Sequence, residues 1–147
     1  MKEITRFDGD FRFLSNFYPA WVRLQGVVYP TAEHAYQAMK SNSPAVREGV
    51  LCLDTPGRAK RWGQTIELRP DWEQVRKRVM LAVVAAKFTQ NEALRGQLVA
   101  TGDAVLEEGN TWHDNFWGAC GCPEHNGKGL NYLGETLMFV RLMVRPD

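Results

Sequence analysis

Cysteine is scarce in this chain, and three residues among 147 cannot pair completely into intramolecular disulfides. Long apolar runs are also missing. The longest, around residues 79–88 and 137–144, contain a charge and are far shorter than the roughly 20 residues of a membrane helix. The first residues include Glu3, Asp8 and Asp10, where a signal peptide would carry an apolar run. We therefore expect a cytoplasmic protein with no membrane association.

An excess of charge of either sign is absent as well. Lysine and arginine total 18 and aspartate and glutamate total 17, which gives a formal net charge of +1. This balance argues against a protein that binds duplex nucleic acid by neutralising phosphates, but it is compatible with a small basic pocket for one or two of them. The chain also lacks P-loop, G-x-G-x-x-G, G-x-S-x-G and HExxH motifs, which argues against the enzyme classes that carry them.

Residues that commonly bind metals are few. Cys120, Cys122 and His125 form a C-x-C-x2-H pattern. A zinc ion would need a fourth ligand, and no second Cys/His pair stands at the spacing of a zinc finger. From the sequence alone we therefore expect no metal ion.

The composition favours a single compact α+β domain over residues 1–147, predominantly α-helical, with a few short strands near the N-terminus and the centre. Hydrophobic residues make up 44% of the chain, and no repeat or linker divides it. Extended segments are predicted at 11–19, 22–24, 27–29 and 104–108. The turn Gln25-Gly26 joins the second and third of these. Residues 109–129 are predicted to be a long irregular loop, a type that is usually functional.

Helices are predicted from apolar periodicity and capping residues at 31–42, 43–54, 55–65, 70–90, 91–102 and 130–144. Thr31 and Asp71 are the expected N-caps of the first and the longest of these helices. In the last helix, Leu133, Leu137 and Val140 recur at the spacing of a buried face. These patterns make helix the main secondary structure.

Three polar residues of the first predicted helix are candidates for chemistry. Glu33, Gln37 and Lys40, here named the Glu33 face, are spaced i, i+4 and i+7 and project from one side of a helix. At 1.5 Å per residue the carboxylate and the amine are about 10 Å apart along the axis, so they could address opposite ends of a small polar substrate. A solvated face with one i, i+4 hydrogen bond is the alternative.

Aromatic residues concentrate in the predicted loop. Trp112, Phe116 and Trp117 fall within six residues of one another, and we name residues 110–118 the tryptophan loop. Indole and phenyl rings could stack on a planar heterocycle, or they could simply cover the core. A third segment, Ser15-Asn16-Phe17, places polar residues between aromatics, although Asn16 could equally hold a turn.

Five motifs follow one another along the chain: LSNFYP, YPTAEHAYQAMK, AKFTQN with LVATGD, DNFWG and GKGLNYLGETLMFVR. In this order and spacing they resemble the NADAR family, which is named for a predicted link to NAD and ADP-ribose, and above all its bacterial members that act on riboflavin intermediates. The resemblance runs from Phe7 to Arg141. Between Gly118 and Gly129 the stretch ACGCPEHNGK departs from the family pattern and leaves substrate choice open.

The resemblance implies an N-glycosidase that cleaves the bond to the anomeric carbon of ribose. The implied partner is a small phosphorylated ribosylamine, namely a ribosylaminopyrimidine intermediate of riboflavin biosynthesis, with ribose 5-phosphate as product. Other branches of the family remove ADP-ribose from guanine, and a non-catalytic module that binds ADP-ribose is a third possibility. A nucleic-acid partner belongs only to the second reading, whose candidate basic rim is Arg58, Lys60, Arg61 and Lys128.

Matched to the family motifs, the expected catalytic residues are Glu33, Lys40 and Asp114. The expected substrate-binding residues are Ser15, Asn16, Phe17, Gln37, Trp112, Trp117, Gly118, Asn131 and Gly134. Cleavage passes through an oxocarbenium-like state, which a carboxylate stabilises while it protonates the departing amine. Lys40 could attack the opened sugar as a Schiff-base nucleophile, or stay charged and grip a phosphate. Neither route requires a metal or another cofactor.

Overall fold

A computed structural model describes residues 2–147, which divide into two compact units. One unit is continuous and comprises residues 16–91. The other combines the residues up to Ser15 with residues 92–147. The expected α+β, mainly helical fold is confirmed, while the assignment of residues 1–147 to a single domain stays a prediction.

The continuous unit begins with a β-hairpin. Strands β2 (Pro19–Leu24) and β3 (Val27–Thr31) pair antiparallel, after a short strand β1 (Glu3–Ile4) of the other unit. The turn residues Gln25 and Gly26 have φ values of 50° and 81°. Positive φ at both central positions is the signature of a tight hairpin turn, so the predicted turn is confirmed.

Helix α1 (Ala32–Ala38) follows β3 directly. The Thr31 side chain accepts the backbone N–H of His34, which confirms the predicted cap. The helix is shorter than predicted, because Lys40 and Ser41 donate to the carbonyls three residues earlier. The Ser-Asn-Ser-Pro sequence after them disfavours helix, since these polar side chains compete for backbone groups and Pro44 restricts the residue before it.

Three further helices complete this unit: α2 (Pro44–Gly49), α3 (Pro56–Gly63) and α4 (Trp72–Gln90), with a short 3-10 turn at Val50–Cys52. Helix α1 packs against α3, α4 and both strands, and α4 also packs on β2. Asp71 is the N-cap residue of α4 as predicted, but its side chain makes no capping hydrogen bond. Its carboxylate instead pairs with Arg69 at 2.6 Å.

The other unit begins with β1, which pairs parallel with strand β4 (Val105–Leu106). Residues 9–14 form a 3-10 helix, so the predicted extended segment at 11–19 is wrong over this part. Gly9 has a φ of 53°, a conformation that starts a turn and that glycine adopts readily. Helix α5 (Glu92–Ala100) then packs against the C-terminal helix α6 (Tyr132–Val144).

Residues 109–129 are more ordered than the sequence suggests. Strands β5 (Gly109–Asn110) and β6 (Ala119–Cys120) pair parallel, and Cys120 also bridges to Lys128. Most of the segment is irregular as predicted, but these short strands and the bridge interrupt it. In α6, Leu133, Leu137 and Val140 are buried as predicted. Within residues 2–147 every helix is too short or too polar to cross a membrane.

Candidate functional site

The start of α1 places the Glu33 carboxylate inside the protein. The Glu33 backbone N–H donates to the Asn16 carbonyl at 3.0 Å, and the Thr31 cap satisfies the next free amide. The Glu33 side chain is buried, with only 7% of the residue exposed. Burial of a carboxylate costs free energy unless other polar groups stabilise it, so polar partners are expected around Glu33.

Gln37 provides such a group, since its Nε2 donates to Glu33 Oε1 at 2.7 Å. Gln37 is itself buried, with 3% exposed. The alternative of a solvated face is therefore wrong for Glu33 and Gln37, although the i, i+4 hydrogen bond that it included is present. Gln37 Oε1 is buried and has no hydrogen-bond partner among residues 2–147. An orphaned acceptor at this depth leaves one strong hydrogen-bonding position available to a ligand.

Gly63 makes this arrangement possible, and sequence reasoning missed it. A Cβ atom built on Gly63 would lie 1.8 Å from Gln37 Oε1. Only glycine at this position lets α3 approach the Gln37 side chain without displacing it. The signal in the sequence was a glycine near the end of a basic amphipathic helix, which by itself reads as an ordinary helix end.

Lys40 lies in the turn just after α1 and is half-buried. Burial is the largest influence on the pKa of the Lys40 ammonium and lowers it. The charge of Glu33 raises this pKa and the charge of Lys60 lowers it, and the resulting pKa is below the ordinary value for lysine. Its Nζ is 5.8 Å from the centre of the Tyr36 ring. Desolvation therefore outweighs the carboxylate, which raises the neutral, nucleophilic fraction of Lys40.

A second lysine of the same unit is buried completely. Lys87 is 0% exposed, and burial lowers its pKa to about 7. Its Nζ lies 5.0 Å from the ring centre of Phe88 and 5.8 Å from that of Tyr18. In the sequence, AKFTQN is recognisable only as a family motif. The one sign of a buried lysine is its position within the apolar run of α4.

The Ser15-Asn16-Phe17 segment spans the division between the units. The buried Asn16 amide donates to Met80 Sδ at 3.3 Å, and its carbonyl extends the start of α1. Phe17 is 42% exposed and Ser15 is half-buried. Asn16 thus supports Glu33 from outside the helix, and substrate contacts by these three residues stay predictions.

The tryptophan loop is organised by two side chains. The buried Asn110 accepts the backbone N–H groups of Trp112 and Asp114, both at 3.2 Å, and donates to the Asp114 carbonyl at 2.7 Å. Asp114 Oδ1 in turn accepts from the backbone of Phe116 and Trp117 at 3.2 and 2.9 Å. The loop therefore has a definite shape, and one oxygen of Asp114 is used to hold it.

The two tryptophans of this loop differ in surroundings. Trp112 is 56% exposed, which suits a stacking surface. Trp117 is half-buried, and the Phe116 ring meets it edge-on with ring centres 4.7 Å apart. Trp117 thus also covers the interior, as the alternative for these aromatics expected.

Gly118, Asn131 and Gly134 serve the packing of β4 to β6 and α6. Both amide atoms of Asn131 bind main chain, with Nδ2 donating to the Leu106 carbonyl and Oδ1 accepting from Glu108 N–H, each at 3.0 Å. A Cβ atom on Gly134 would lie 2.1 Å from the Leu106 carbonyl oxygen. These contacts explain the residues structurally, and a substrate contact by them stays a prediction.

The candidate residues thus fall into separate groups. Residues 16–91 bring together Asn16 and the Glu33 face. The tryptophan loop, Gly118, Asn131 and Gly134 belong to the other unit. The inference that the cysteine pair lacks a fourth metal ligand is wrong, because the loop turns His113 toward Cys122.

Comparison with known proteins gives one consistent result. Residues 5–145 match the NADAR domain family. The chain is 40% identical over 136 residues to the N-glycosidase YbiA of Escherichia coli, covering 90% of this chain and 79% of that protein. It is also 40% identical over 136 residues to an N-glycosidase of Nostoc punctiforme, covering 89% of this chain and 84% of the relative.

A riboflavin biosynthesis protein of Vibrio vulnificus is 40% identical over 136 residues, which cover 91% of this chain and 36% of that longer protein. The chain therefore spans about a third of the Vibrio relative. The NMR structure of E. coli YbiA superposes with a TM-score of 0.80 at 33% identity, covering 98% of this chain and 86% of that one. On the family match and these relatives, the chain belongs to the NADAR family.

Proposed function

We propose that this protein is an N-glycosidase that hydrolyses the ribosyl C–N bond of phosphorylated ribosylaminopyrimidine intermediates of riboflavin biosynthesis and releases ribose 5-phosphate. The enzyme class follows from relatives about 40% identical over most of the chain that are named N-glycosidases. The riboflavin context follows from the relatives named riboflavin biosynthesis proteins. The observation that carries the proposal is the buried Glu33 carboxylate, held by Gln37 beside a lysine of lowered pKa.

The buried carboxylate suits the electrostatics of the reaction. Positive charge develops at the anomeric carbon as the C–N bond breaks, and a fixed carboxylate stabilises it more strongly away from water. The Gln37 hydrogen bond fixes the orientation of the carboxylate, so little reorganisation is needed during the reaction. Glu33 is therefore assigned to charge stabilisation and to proton transfer to the departing amine.

Lys40 is assigned to covalent catalysis. Ring opening of the ribosylamine leaves an iminium carbon at C1, which the neutral Lys40 amine attacks. The pyrimidine amine then leaves with a proton, and Lys40 stays bound to C1 as an iminium ion. Water adds to this ion and expels the Lys40 amine, so that ribose 5-phosphate is released and the enzyme is regenerated.

The other expected site residues keep narrower roles in the proposal. Asp114 stays a catalytic candidate with one oxygen committed to the tryptophan loop, and Trp112 is the exposed stacking candidate. Arg58 of the basic rim that the nucleic-acid reading requires is paired with Asp54 at 2.9 Å. We further propose that the reaction is cytoplasmic, a compartment in which an exposed free thiol such as that of Cys52 persists.

The direct test is release of ribose 5-phosphate from the first two phosphoribosylaminopyrimidine intermediates, measured with the purified protein. The test variant is Glu33→Gln. The matched control is Glu92→Gln, which changes an exposed carboxylate in the first turn of α5. Turnover by wild type and Glu92→Gln but not by Glu33→Gln supports the proposal. No turnover on either substrate, together with release of ADP-ribose from an ADP-ribosylated guanosine oligonucleotide, would replace it with the second reading.

A further inference from the structure

Four side chains that commonly bind metals meet in the segment 113–125. We name His113, Cys120, Cys122 and His125 the Cys/His cluster, and their ligand atoms all lie within 4.8 Å of one another. Cys122 Sγ is 3.0 Å from His125 Nδ1 and 3.3 Å from His113 Nδ1. The proposed reaction uses none of these four residues, so the cluster requires its own explanation.

The spacing of the cluster fits a small tetrahedral ion. Zinc binds thiolate sulfur at about 2.3 Å and imidazole nitrogen at about 2.0–2.1 Å, so neighbouring ligand atoms of a tetrahedral site are roughly 3.3–3.8 Å apart. The Cys122 to His113 distance already lies at the short end of that range, and the others require shifts of about 1 Å or less. The four ligands therefore need little movement to enclose an ion.

The backbone around the cysteines forms a short turn that presents both sulfur atoms. Cys120 N–H donates to the Lys128 carbonyl at 3.1 Å, and Gly127 N–H returns to the Cys120 carbonyl at 2.7 Å. Backbone N–H groups also approach the sulfurs: Cys122 N lies 3.5 Å from Cys120 Sγ, and His125 N lies 3.4 Å from Cys122 Sγ. The turn therefore holds both sulfur atoms within 4.8 Å of each other and of the His125 ligand atom.

His113 reaches the cluster through an unusual backbone conformation. Its φ is +69°, a left-handed value that costs free energy for a residue other than glycine. Asn110 Oδ1 accepts from the backbone N–H groups of Trp112 and Asp114, and Asn110 Nδ2 donates to the Asp114 carbonyl, so the residues on both sides of His113 are held. Strain of this kind persists where it places a side chain for use, and here the side chain is placed beside the two cysteines.

We propose that the Cys/His cluster binds one zinc ion in a closed, structural site. Thiolates with imidazoles select zinc over magnesium or calcium, and four protein ligands leave no open position for a substrate. Each cysteine loses its proton to solvent on binding. Because His113 lies within the tryptophan loop and the other three ligands follow it, the ion ties this loop to the turn at 120–128.

The site also explains a feature of the sequence. Three of its ligands lie in ACGCPEHNGK, the stretch that departs from the family pattern. A zinc ion would stabilise this stretch, whose small, polar and turn-forming residues make few apolar packing contacts. Loss of the ion is therefore expected to destabilise the structure locally, at residues 110–128.

The first experiment measures metal in the full-length protein without an affinity tag. Elemental mass spectrometry should find about one zinc ion per chain, and removal with a chelator should lower Tm by several degrees. Reconstitution with cobalt(II) should give the d–d bands of a tetrahedral site and a thiolate charge-transfer band. Protein that carries no zinc above buffer level and shows no cobalt–thiolate band overturns the proposal.

Two variants with a matched control assign the ligands. Cys122→Ser should lose zinc and the charge-transfer band, whereas Cys52→Ser, at an exposed cysteine outside the cluster, should keep both. If Cys122→Ser does not fold, the half-buried His125 provides a second variant, His125→Gln, which should bind zinc at least about tenfold more weakly. Full zinc content in both variants would exclude the cluster as the site. None of these readouts depends on glycosidase activity.

Discussion

The Glu33 face and the tryptophan loop hold their polar side chains in opposite ways. On the Glu33 face, α1 positions Glu33 and Gln37. Gln37 donates one hydrogen bond to Glu33, while its buried oxygen has no hydrogen-bond partner among residues 2–147. In the tryptophan loop the side chains position the backbone, since Asn110 and Asp114 bind mainly main-chain groups. The Glu33 face thus keeps a hydrogen-bond acceptor available to a ligand, whereas in the tryptophan loop many of the side-chain hydrogen bonds hold the backbone in its conformation.

This difference separates two kinds of contribution. Side chains that a rigid element holds can act chemically, because their positions do not depend on the groups they bind. Side chains that build a loop give shape and exposed ring surface. We therefore expect changes on the Glu33 face to affect turnover and changes in the tryptophan loop to affect substrate affinity and local stability.

The largest effect is expected at Lys40. Lys40→Arg keeps a positive charge but cannot form an imine, so turnover should fall by about 1,000-fold or more if the amine is the nucleophile. Borohydride added during turnover should trap a sugar adduct on Lys40 in wild type, detected by mass spectrometry. Lys60→Arg, on α3, is the matched control and should still be trapped. An active, untrapped Lys40→Arg enzyme would show that Lys40 only grips substrate.

At Glu33 we expect a loss of about 100-fold in kcat for Glu33→Gln, because the amide can neither stabilise positive charge nor transfer a proton. Tm should change little, since an amide can still bond to Gln37. Thermal unfolding measured beside the kinetics separates the two effects. Equal losses of stability and turnover would mark Glu33 as a structural residue and weaken the contrast with the tryptophan loop.

The buried Lys87 tests whether the unit of residues 16–91 tolerates charge in its interior. Its pKa is about 7 in the folded protein and near 10.4 in the unfolded chain, so the unfolded chain binds more protons between these values. The free energy of unfolding should therefore rise with pH across this window, by about 2 kcal/mol from pH 7 to pH 9.

Urea unfolding at the two pH values measures this rise. Lys87→Met should flatten it relative to wild type, and Lys77→Met, at an exposed lysine of α4, should leave it in place. An unchanged slope in Lys87→Met would mean that Lys87 keeps its charge inside the fold.

Gly63→Ala tests the close approach behind Gln37. The added methyl group would overlap Gln37 Oε1, so Gln37 should swing away from Glu33 and turnover should fall by about tenfold, with about 1–3 kcal/mol of stability lost. Gly57→Ala, in the same helix with open space around it, should retain both properties. Equal behaviour of the two variants would contradict a positioning role for Gln37.

The smallest effect is expected in the tryptophan loop. Trp112→Ala should raise KM about fivefold through lost stacking, with Tm nearly unchanged because the ring is exposed. Trp117→Ala should lower Tm as well, because its half-buried ring contacts Phe116. A Trp112→Ala enzyme with wild-type KM would remove the stacking role and leave the loop a purely structural one.

The sequence predicts well what depends on neighbours along the chain. The Thr31 cap, the Gln25-Gly26 turn and the buried face of α6 each follow from residues within a few positions, and all were confirmed. The 3-10 helix at 9–14 and the strand pair β5–β6 were missed, because these elements are short and the local sequence preferences there are weak.

The same limit applies to the candidate site. The spacing of Glu33 and Gln37 predicts their hydrogen bond, but only the packing of α3 reveals Gly63. His113 is seven residues before Cys120, a spacing that matches no zinc finger, and only the turn around Asn110 brings it to the cysteines. The roles of such residues can be recognised only when the path of the backbone is known.

The pairing of β1 with β4 has a consequence for the order in which the protein forms. Strand β1 precedes residues 16–91 in the chain, yet its partner strand is synthesised about a hundred residues later, whereas residues 16–91 are contiguous. On the ribosome the unit with the Glu33 face can therefore fold while β1 still waits for β4. The tryptophan loop is completed later still, because the backbone N–H groups of residues 130–133 donate to its carbonyls.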